Sequence, residues 1–262
     1  MLSTTASYLA VSNNLSRLQA ATAASPQVSS DTAYFLANIG KVTSISDFVG
    51  NYRLFSYAMK AFGLEDMDYA QGMMQKVLEG GVTSPSALAN TLSNPAYKAF
   101  AEAFDFTGQG TAVTQTAAAT TDVVSKYVQQ SLEDNEGQQN QGVQLAMYFV
   151  QNASSITNVY GLLADKNMLQ VVQTAFGLPD SATANIDAEA STLSNAINIQ
   201  DLQNPAKVQQ IAERFTAMWD LDGNNTSSST SSVAQLFAPS STTTGFSADL
   251  LLSLQGLKLG GT

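Results

Sequence analysis

The stretch SISDFVGNYRLFSYAMKAFGL, residues 44–64, decides the fold class. Its large apolar side chains recur every three or four residues, which is the spacing of one face of an α-helix. Ser44 followed by Asp47 resembles a capping box at a helix start, and Gly63 is typical of the residue after a helix end. The stretch therefore predicts helical structure with one apolar face, formed by Phe48, Tyr52, Phe55, Met59 and Phe62.

The end of this stretch returns later in the chain. Residues 60–64 (KAFGL) match residues 174–178 (TAFGL), and residues 92–96 (LSNPA) match residues 202–206 (LQNPA). Two copies predict one compact all-α body with approximate pseudo-symmetry, because a solenoid needs at least about three repeats. No useful run of alternating apolar and polar residues predicts a strand. The predicted fold is thus all-α, built from two pseudo-repeats with flexible terminal segments.

Composition divides the chain further. Residues 1–30 are rich in Ser, Thr, Ala, Asn and Gln, and they predict a loosely ordered helix that folds on a partner. One long helix, rather than two, is expected across residues 124–150. The remaining segments are a first helical repeat at 31–106, a linker or loop at 107–121, the long helix and second repeat at 122–222, a Ser/Thr-rich linker at 223–245 and a C-terminal amphipathic helix at 246–262.

Composition also excludes several classes of function. The 262 residues contain no Cys and no His, so neither a disulfide nor a thiolate or imidazole metal site can form. A Ser-His-Asp or Cys-His catalytic unit is excluded for the same reason. Only 11 residues are Lys or Arg against 21 Asp or Glu, and a net charge of −10 argues against nucleic-acid binding. We expect no catalytic residue, no metal and no cofactor.

The N-terminal residues carry no targeting signal that would be cleaved. They contain neither a basic region nor a continuous apolar run, so a Sec-type signal peptide is not predicted. No stretch approaches the roughly 20 apolar residues of a membrane helix, and no membrane insertion is expected. The sequence indicates a soluble protein that either stays in the cytoplasm or is exported without a cleaved signal.

Two acidic stretches have ordinary interpretations. Residues 133–136 (EDNE) predict a solvated helix face, with a weak cation site as the alternative. Residues 220–226 (DLDGNNT) resemble the start of a calcium loop, but glycine stands at the fourth position instead of the sixth. They are interpreted as a helix end leading into a linker. A glycan hydrolase would need two opposed carboxylates about 5–9 Å apart across a cleft, and the sequence indicates no such pair.

The C-terminal helix is the predicted partner-binding element. It carries an apolar stripe and only Asp249 and Lys258 as charges. Three uses of the stripe stay open: docking on the chain's own body, docking on another subunit or partner, and binding at a membrane surface. The speculative partner-binding residues are Leu250, Leu251, Leu254 and Leu257.

Several longer runs resemble the DUF1217 family. They are residues 34–42, 53–67 and 92–97 in the first half, and 140–149 and 214–219 in the second half. The resemblance covers roughly residues 1–222. It implies an all-α protein of alphaproteobacteria that is often found with flagellar genes and is sometimes labelled a flagellar basal-body rod protein. No enzymatic activity is attached to the family, so it supplies no catalytic residues.

The resemblance and the composition together give the expected function. We expect a non-enzymatic structural or assembly protein of the bacterial flagellum, located in the flagellum or exported without a cleaved signal peptide. The alternative is a cytoplasmic helical adaptor or chaperone for flagellar components, which would bind a partner helix in an apolar groove. Its partners are expected to be flagellar proteins, and the sequence leaves the oligomeric state open.

Overall fold

The computed structural model describes residues 2–179 and 185–223, and all regular structure in these ranges is helical. The prediction of an all-α fold is confirmed. Short 3₁₀ turns lie at Glu65–Met67, Gly110–Gln115, Ala153–Ser155 and Ile199–Gln203. The α-helices are α1 (Thr4–Asn13), α2 (Leu15–Ala23), α3 (Pro26–Ile39), α4 (Ile45–Gly50), α5 (Tyr52–Ala61), α6 (Gln71–Gly80), α7 (Leu88–Thr91), α8 (Pro95–Ala103), α9 (Phe106–Gln109), α10 (Thr121–Gln139), α11 (Gln141–Asn152), α12 (Val159–Ala164), α13 (Lys166–Phe176), α14 (Ile186–Ala196) and α15 (Pro205–Leu221).

The duplication predicted from the sequence is present, and it extends further than the matching motifs. Helices α3–α5 correspond to α11–α13 with a shift of 114 residues (148 − 34). The Tyr34 hydroxyl lies 3.4 Å from the Asn51 side chain, and the corresponding Tyr148 hydroxyl donates to Asp165 at 2.8 Å. In both copies a tyrosine on the first helix thus bonds the residue that caps the third helix.

The third helix of each copy also ends in the same way. Gly63 and Gly177 both adopt positive φ, at 67° and 64°, which glycine reaches without a steric penalty. The next residue closes the turn in each copy, because Leu64 N–H donates to Met59 and Leu178 N–H donates to Gln173. In the repeated Phe-Gly-Leu motif, the glycine therefore ends the helix and the leucine packs against the core.

The apolar residues form two cores, one for each repeat. The first lies among α3–α10 and is rich in stacked and edge-on phenylalanines around Phe48 and Phe100. The second lies among α11–α15 around Phe149 and Phe215. Helix α10 joins them, because Tyr127 belongs to the first core and Leu132 to the second. We call the half that surrounds the first core (α3–α10) unit one. We call the half that surrounds the second core (α11–α15) unit two.

The N-terminal segment is not loosely ordered in the structure, so that prediction is wrong. Helix α1 packs on α11 and α15, and its Tyr8 and Val11 are buried in the core of unit two. Asp220 at the end of α15 accepts the backbone N–H groups of Thr4 and Thr5, at 2.9 and 3.2 Å. The sequence gives little sign of this contact because its partners lie more than 200 residues away.

Removing the Asp220 carboxylate tests how firmly α1 is held. The Asp220→Ala variant leaves the Thr4 and Thr5 N–H groups without their acceptor and removes a negative charge from the start of a helix. We expect it to lower the free energy of unfolding by about 1–2 kcal/mol. Urea unfolding followed by circular dichroism measures the change. The exposed Asp222→Ala is the control, and an equal loss in both variants would contradict the capping role.

The expected long helix across residues 124–150 is two helices. Asn140 separates α10 from α11 with extended backbone angles, φ −156° and ψ 107°. Its side-chain oxygen accepts the N–H groups of Gly142 and Val143, at 2.9 and 3.3 Å. Asn140 is thus the N-cap of a new helix, and the expectation of one long helix is wrong because this cap starts a second one.

The predicted linker at 107–121 is a packed part of unit one. It contains the end of α9 and a 3₁₀ turn, and Val113 and Ala119 are fully buried. Threonine hydroxyls at 114, 116 and 120 donate to backbone carbonyls three or four residues earlier, which keeps the segment compact. Low sequence complexity predicted a loop here. In the structure the segment is held in place by these local hydrogen bonds, although it lacks a regular spacing of apolar residues.

Candidate functional site

A cleft in unit one gathers charged and aromatic side chains from three helices. It lies among α3, α5 and α10 and has a volume of about 350 Å³. We call it the first-unit cleft. The residues that line it are Asp31, Tyr52, Arg53, Ser56, Tyr57, Lys60 and Tyr127.

Asp31 accepts side-chain hydrogen bonds from three residues in or beside this cleft. Its carboxylate accepts hydrogen bonds from Gln27 at 2.6 Å, Arg53 at 3.0 Å and Tyr127 at 3.2 Å. Burial favours a higher pKa for Asp31, but the three hydrogen bonds outweigh it and the pKa is lowered. Arg53 also lies over the Tyr34 ring, 4.1 Å from its centroid. Asp31 is therefore a charged anchor that orients one arginine and one tyrosine.

Two stacked tyrosines form the wall beside Asp31. The rings of Tyr57 and Tyr127 lie 3.8 Å apart and nearly parallel. Burial raises the pKa of Tyr57 to about 12, and burial together with the nearby Asp31 charge raises the pKa of Tyr127 as well. Both hydroxyls are thus neutral hydrogen-bonding groups near pH 7. Lys60 completes the wall and is ion-paired with Asp134.

Unit two builds the same helices without this cluster. The 114-residue shift places Leu145, Asn167, Val171 and Thr174 opposite Asp31, Arg53, Tyr57 and Lys60. A fold that forms with apolar and uncharged residues at these positions does not need the charged cluster for its architecture. The charged cluster therefore distinguishes unit one from unit two.

A second cleft lies where the two units meet, and we call it the inter-unit cleft. Its volume is about 180 Å³, and its walls come from the end of α5, the start of α8, and α10 and α11. Phe62 and Lys126 form one side, with the Lys126 amine 5.4 Å from the ring centroid. Tyr148 and Asp165 form the other side through their 2.8 Å hydrogen bond. The cleft thus combines an aromatic face with a lysine, a carboxylate and uncharged polar groups.

One polar atom of the inter-unit cleft is unsatisfied. The Gln151 side-chain oxygen is buried and has no hydrogen-bond partner among the described residues. A buried carbonyl of this kind is stabilised by a donor such as a backbone N–H. The cleft therefore offers an acceptor beside an apolar surface, which suits a peptide segment.

The two clefts each contain few acidic groups. The first-unit cleft contains one carboxylate, Asp31, and the inter-unit cleft contains one, Asp165. Tyrosine hydroxyls donate to both. Within residues 2–179 and 185–223 no group of three or more Asp or Glu is placed to hold a metal ion. The charged, hydroxyl and aromatic groups of the two clefts are able to bind polar and aromatic groups.

Glu133 is the functional candidate that sequence reasoning missed. The sequence predicts residues 133–136 as a solvated helix face, yet the Glu133 side chain is fully buried, so the prediction is wrong for this residue. One carboxyl oxygen accepts from Gln129 at 2.9 Å, and the other has no partner among the described residues. Burial raises the pKa of Glu133 to about 7 despite that bond. The adjacent Leu132, which is buried in unit two, was the only local sign that this side of α10 is covered.

The structure does not test the predicted partner-binding leucines. Leu250, Leu251, Leu254 and Leu257 lie outside the described residues, as do the predicted C-terminal helix and all of the Ser/Thr-rich linker except Gly223. The structure does describe the end of α15, where Asp220 accepts a hydrogen bond from the backbone of Thr4. Helix α15 ends at Leu221, which agrees with a helix end in this stretch, and residues 224–226 lie outside the described residues.

Comparison with known proteins identifies the family. The model of the DUF1217 family, described as a protein of unknown function, matches residues 61–208, more than half of the chain. The chain belongs to the DUF1217 family. No curated protein sequence matches it. The crystal structure of protein AGR_C_984 from Agrobacterium tumefaciens is similar, with 40% sequence identity, a TM-score of 0.78, and coverage of 85% of this chain and 97% of that chain.

The alignment with the Agrobacterium protein is long enough to include both units, so this likeness supports the all-α fold over most of the chain. The match of the family model confirms the sequence resemblance to the DUF1217 family. None of the helices in the described part of the chain combines the length and the apolar content that crossing a bilayer requires.

Proposed function

We propose that this DUF1217 protein acts by binding other proteins, without catalysis, as a structural or assembly component of the bacterial flagellum. The flagellar setting rests on the family resemblance described for the sequence. The binding role rests on one observation above all: unit one carries a charged and aromatic cluster at positions where unit two has Leu145, Asn167, Val171 and Thr174. Residues that the shared architecture does not require are the natural place for a partner contact.

The chemistry of the first-unit cleft supports a protein partner. Arg53 is half exposed, with 48% of its side chain accessible, and Asp31 and the Tyr34 ring fix its position. Tyr52 is exposed beside it. Exposed tyrosine and oriented arginine are the residue types that contribute most to protein–protein binding energy. The C-terminal leucines 250, 251, 254 and 257 remain the second proposed contact.

Fractionation of motile cells tests the proposed location. In wild-type cells we expect the protein with purified hook–basal bodies or filaments, or in the medium. In a mutant that lacks flagellar export we expect it to be absent from those fractions and retained in the cell. Residence wholly in the cytoplasm of both strains would overturn the export proposal and direct attention to a cytoplasmic adaptor.

Exchanging cleft residues for their unit-two counterparts tests the site itself. The double variant Arg53→Asn/Lys60→Thr installs residues that the same helices already carry in unit two, so the fold should persist. We expect the yield of partner cross-links in intact cells to fall by about fivefold or more, since loss of binding hot spots weakens association at least that much. Lys98→Ala is the matched control, because it removes a lysine from an exposed ion pair with Glu102. An equal yield in the variant and the control would contradict the assignment of the cleft.

The alternative proposal is a cytoplasmic adaptor or chaperone for flagellar components. The inter-unit cleft favours it, because the unpartnered Gln151 oxygen beside Phe62 fits the backbone of a bound segment. Under this alternative the protein stays in the cytoplasm and binds a soluble client. The fractionation experiment separates the two proposals, since only the first places the protein outside the cytoplasm.

A further inference from the structure

Helix α2 lies on α10 but makes few buried contacts there. Thr22 is its one buried residue. Leu18 packs partly buried against the second core, which includes Leu132 of α10. The Gln19 amide donates to the side-chain oxygen of Gln129, also on α10, at 2.7 Å. A helix with so little buried surface opens at a lower free energy than the core helices around it.

The contact at Gln19 leads inward to Glu133. Gln129 accepts from Gln19 with its oxygen and donates with its nitrogen to one carboxyl oxygen of Glu133, at 2.9 Å. Gln129 and Glu133 stand one turn apart on α10, so their side chains share the side of that helix that meets α2. The second carboxyl oxygen is buried and has no partner among the described residues. Glu133 is thus a buried carboxyl whose hydrogen-bonded link to α2 runs through one glutamine.

The groups that surround Glu133 on its own helix and on α11 do not neutralise a charge there. Asp134 and Glu136 on α10 are themselves acidic. Lys126 lies two turns away, over an aromatic ring of unit one. Tyr148 of α11 is near Glu133, but its hydroxyl donates to a different carboxylate. Burial, with a smaller contribution from Asp134, raises the pKa of Glu133 to about 7.

The cations on the other helices packed against α10 have different partners. Lys60 of α5 pairs with another carboxylate of α10, and Arg53 of α5 pairs with Asp31, the only charged residue of α3. Arg17 is the only charged residue of α2, and in the described part of the chain it forms no ion pair with Glu133. A proton is therefore what neutralises Glu133 in the folded protein.

We propose that α2 is a pH-controlled cover, which stays closed over Glu133 while this carboxyl is protonated and opens when the carboxyl ionises. Opening lets water reach the carboxylate, so the cost of a buried and half-satisfied charge is removed. The bond between Gln19 and Gln129 breaks in the same step. By proton linkage, the equilibrium constant for opening rises between about pH 4.5 and pH 7 and levels off above pH 7.

Hydrogen–deuterium exchange of the full-length chain tests the cover. Protection factors remove the pH dependence of intrinsic exchange and therefore report opening itself. We expect those of α2 to fall by about fivefold from pH 6 to pH 7 and by less than about twofold from pH 7 to pH 8. At every pH they should lie at least about tenfold below those of α13, a helix in the core of unit two. Equal protection of α2 and α13 would show that α2 opens only when the whole chain unfolds, and would overturn the proposal.

Trypsin gives a second measurement at a fixed pH. Arg17 is the only Lys or Arg before Lys41, so cleavage after Arg17 reports the opening of α2. At pH 7.5 we expect Glu133→Gln to be cleaved there about tenfold more slowly than wild type, or slower still, because the amide does not ionise. Glu79→Gln, which removes an exposed carboxylate of unit one, is the matched control and should be cleaved at the wild-type rate.

Two results would contradict the role of Glu133. One is cleavage of Glu133→Gln at the wild-type rate, and the other is a protection of α2 in the wild-type chain that does not change between pH 6 and pH 7. The second result needs no variant, so exchange in the wild-type chain decides the question even if Glu133→Gln fails to fold.

Discussion

Replacement of Glu133 with glutamine is expected to stabilise this protein at neutral and alkaline pH. Burial holds the pKa of Glu133 at about 7, against 4.5 for an ordinary glutamate. Above pH 7 the folded protein must therefore carry a buried, half-satisfied negative charge. Glutamine keeps the shape and can keep the bond with Gln129, but it has no charge to bury.

The pH dependence follows from proton linkage. A carboxyl group with a raised pKa in the fold takes up a proton on folding between about pH 4.5 and pH 7. Its presence costs nothing below pH 4.5, costs progressively more as the pH rises through that window, and reaches a constant cost above pH 7. At about 1.4 kcal/mol for each pKa unit, the full effect is on the order of 3 kcal/mol.

The measurement is the difference in unfolding free energy between Glu133→Gln and wild type in urea, repeated between about pH 5 and pH 8. The difference should grow in favour of the variant up to about pH 7 and then level off. Glu79→Gln, which changes an exposed carboxylate to the same amide, is the control. A difference that stays constant over this range would show that Glu133 is not a buried titrating group.

Substitution of Gly142 by alanine is expected to loosen α1 from unit two. Gly142 is the second residue of α11, and a β-carbon there would lie 2.6 Å from the Trp219 ring and 2.7 Å from the Thr4 methyl group. Both neighbours are buried, so the ring or α1 must move. We expect a loss of about 2–3 kcal/mol, the cost of overpacking a filled core.

Gly72→Ala is a close control for this prediction. Gly72 is also the second residue of its helix, α6, but nothing lies within 4 Å of the position of an added β-carbon. Alanine favours the helix there by reducing the freedom of the unfolded chain, so this variant should be neutral or slightly more stable. Trp219 is the only tryptophan in the chain, and its fluorescence also reports whether Gly142→Ala displaces the indole. Equal stability of the two variants would contradict the close packing at Gly142.

Local signals in the sequence were sufficient for some of the helices and their ends. The three- and four-residue spacing of apolar residues predicts helical structure after Ser44, and Ser44 caps α4 in the structure. The glycine of the Phe-Gly-Leu motif predicts the helix ends at Gly63 and Gly177, because both helices end in a residue with positive φ, which glycine adopts readily. These features depend on a few neighbouring residues, which is why a single sequence reveals them.

Long-range contacts could not be predicted in the same way. The order of residues 1–30 comes from α15 and α11, and nothing near Thr4 indicates that Asp220 will accept its N–H group. The burial of Glu133 depends on the side of α10 that faces unit two, which one polar residue cannot disclose. The first-unit cleft was equally invisible, because Asp31, Arg53 and Tyr127 come together only when α3, α5 and α10 meet.

The contact between α1 and α15 has a consequence for the biosynthesis of the chain. Thr4 precedes its partner Asp220 by 216 residues, so α1 leaves the ribosome long before the helix on which it docks. At ordinary rates of translation this interval is roughly 10–40 s. During that time α1 lacks α11 and α15, the helices on which it packs in the native structure. The first helix to be synthesised is thus among the last to reach its native position.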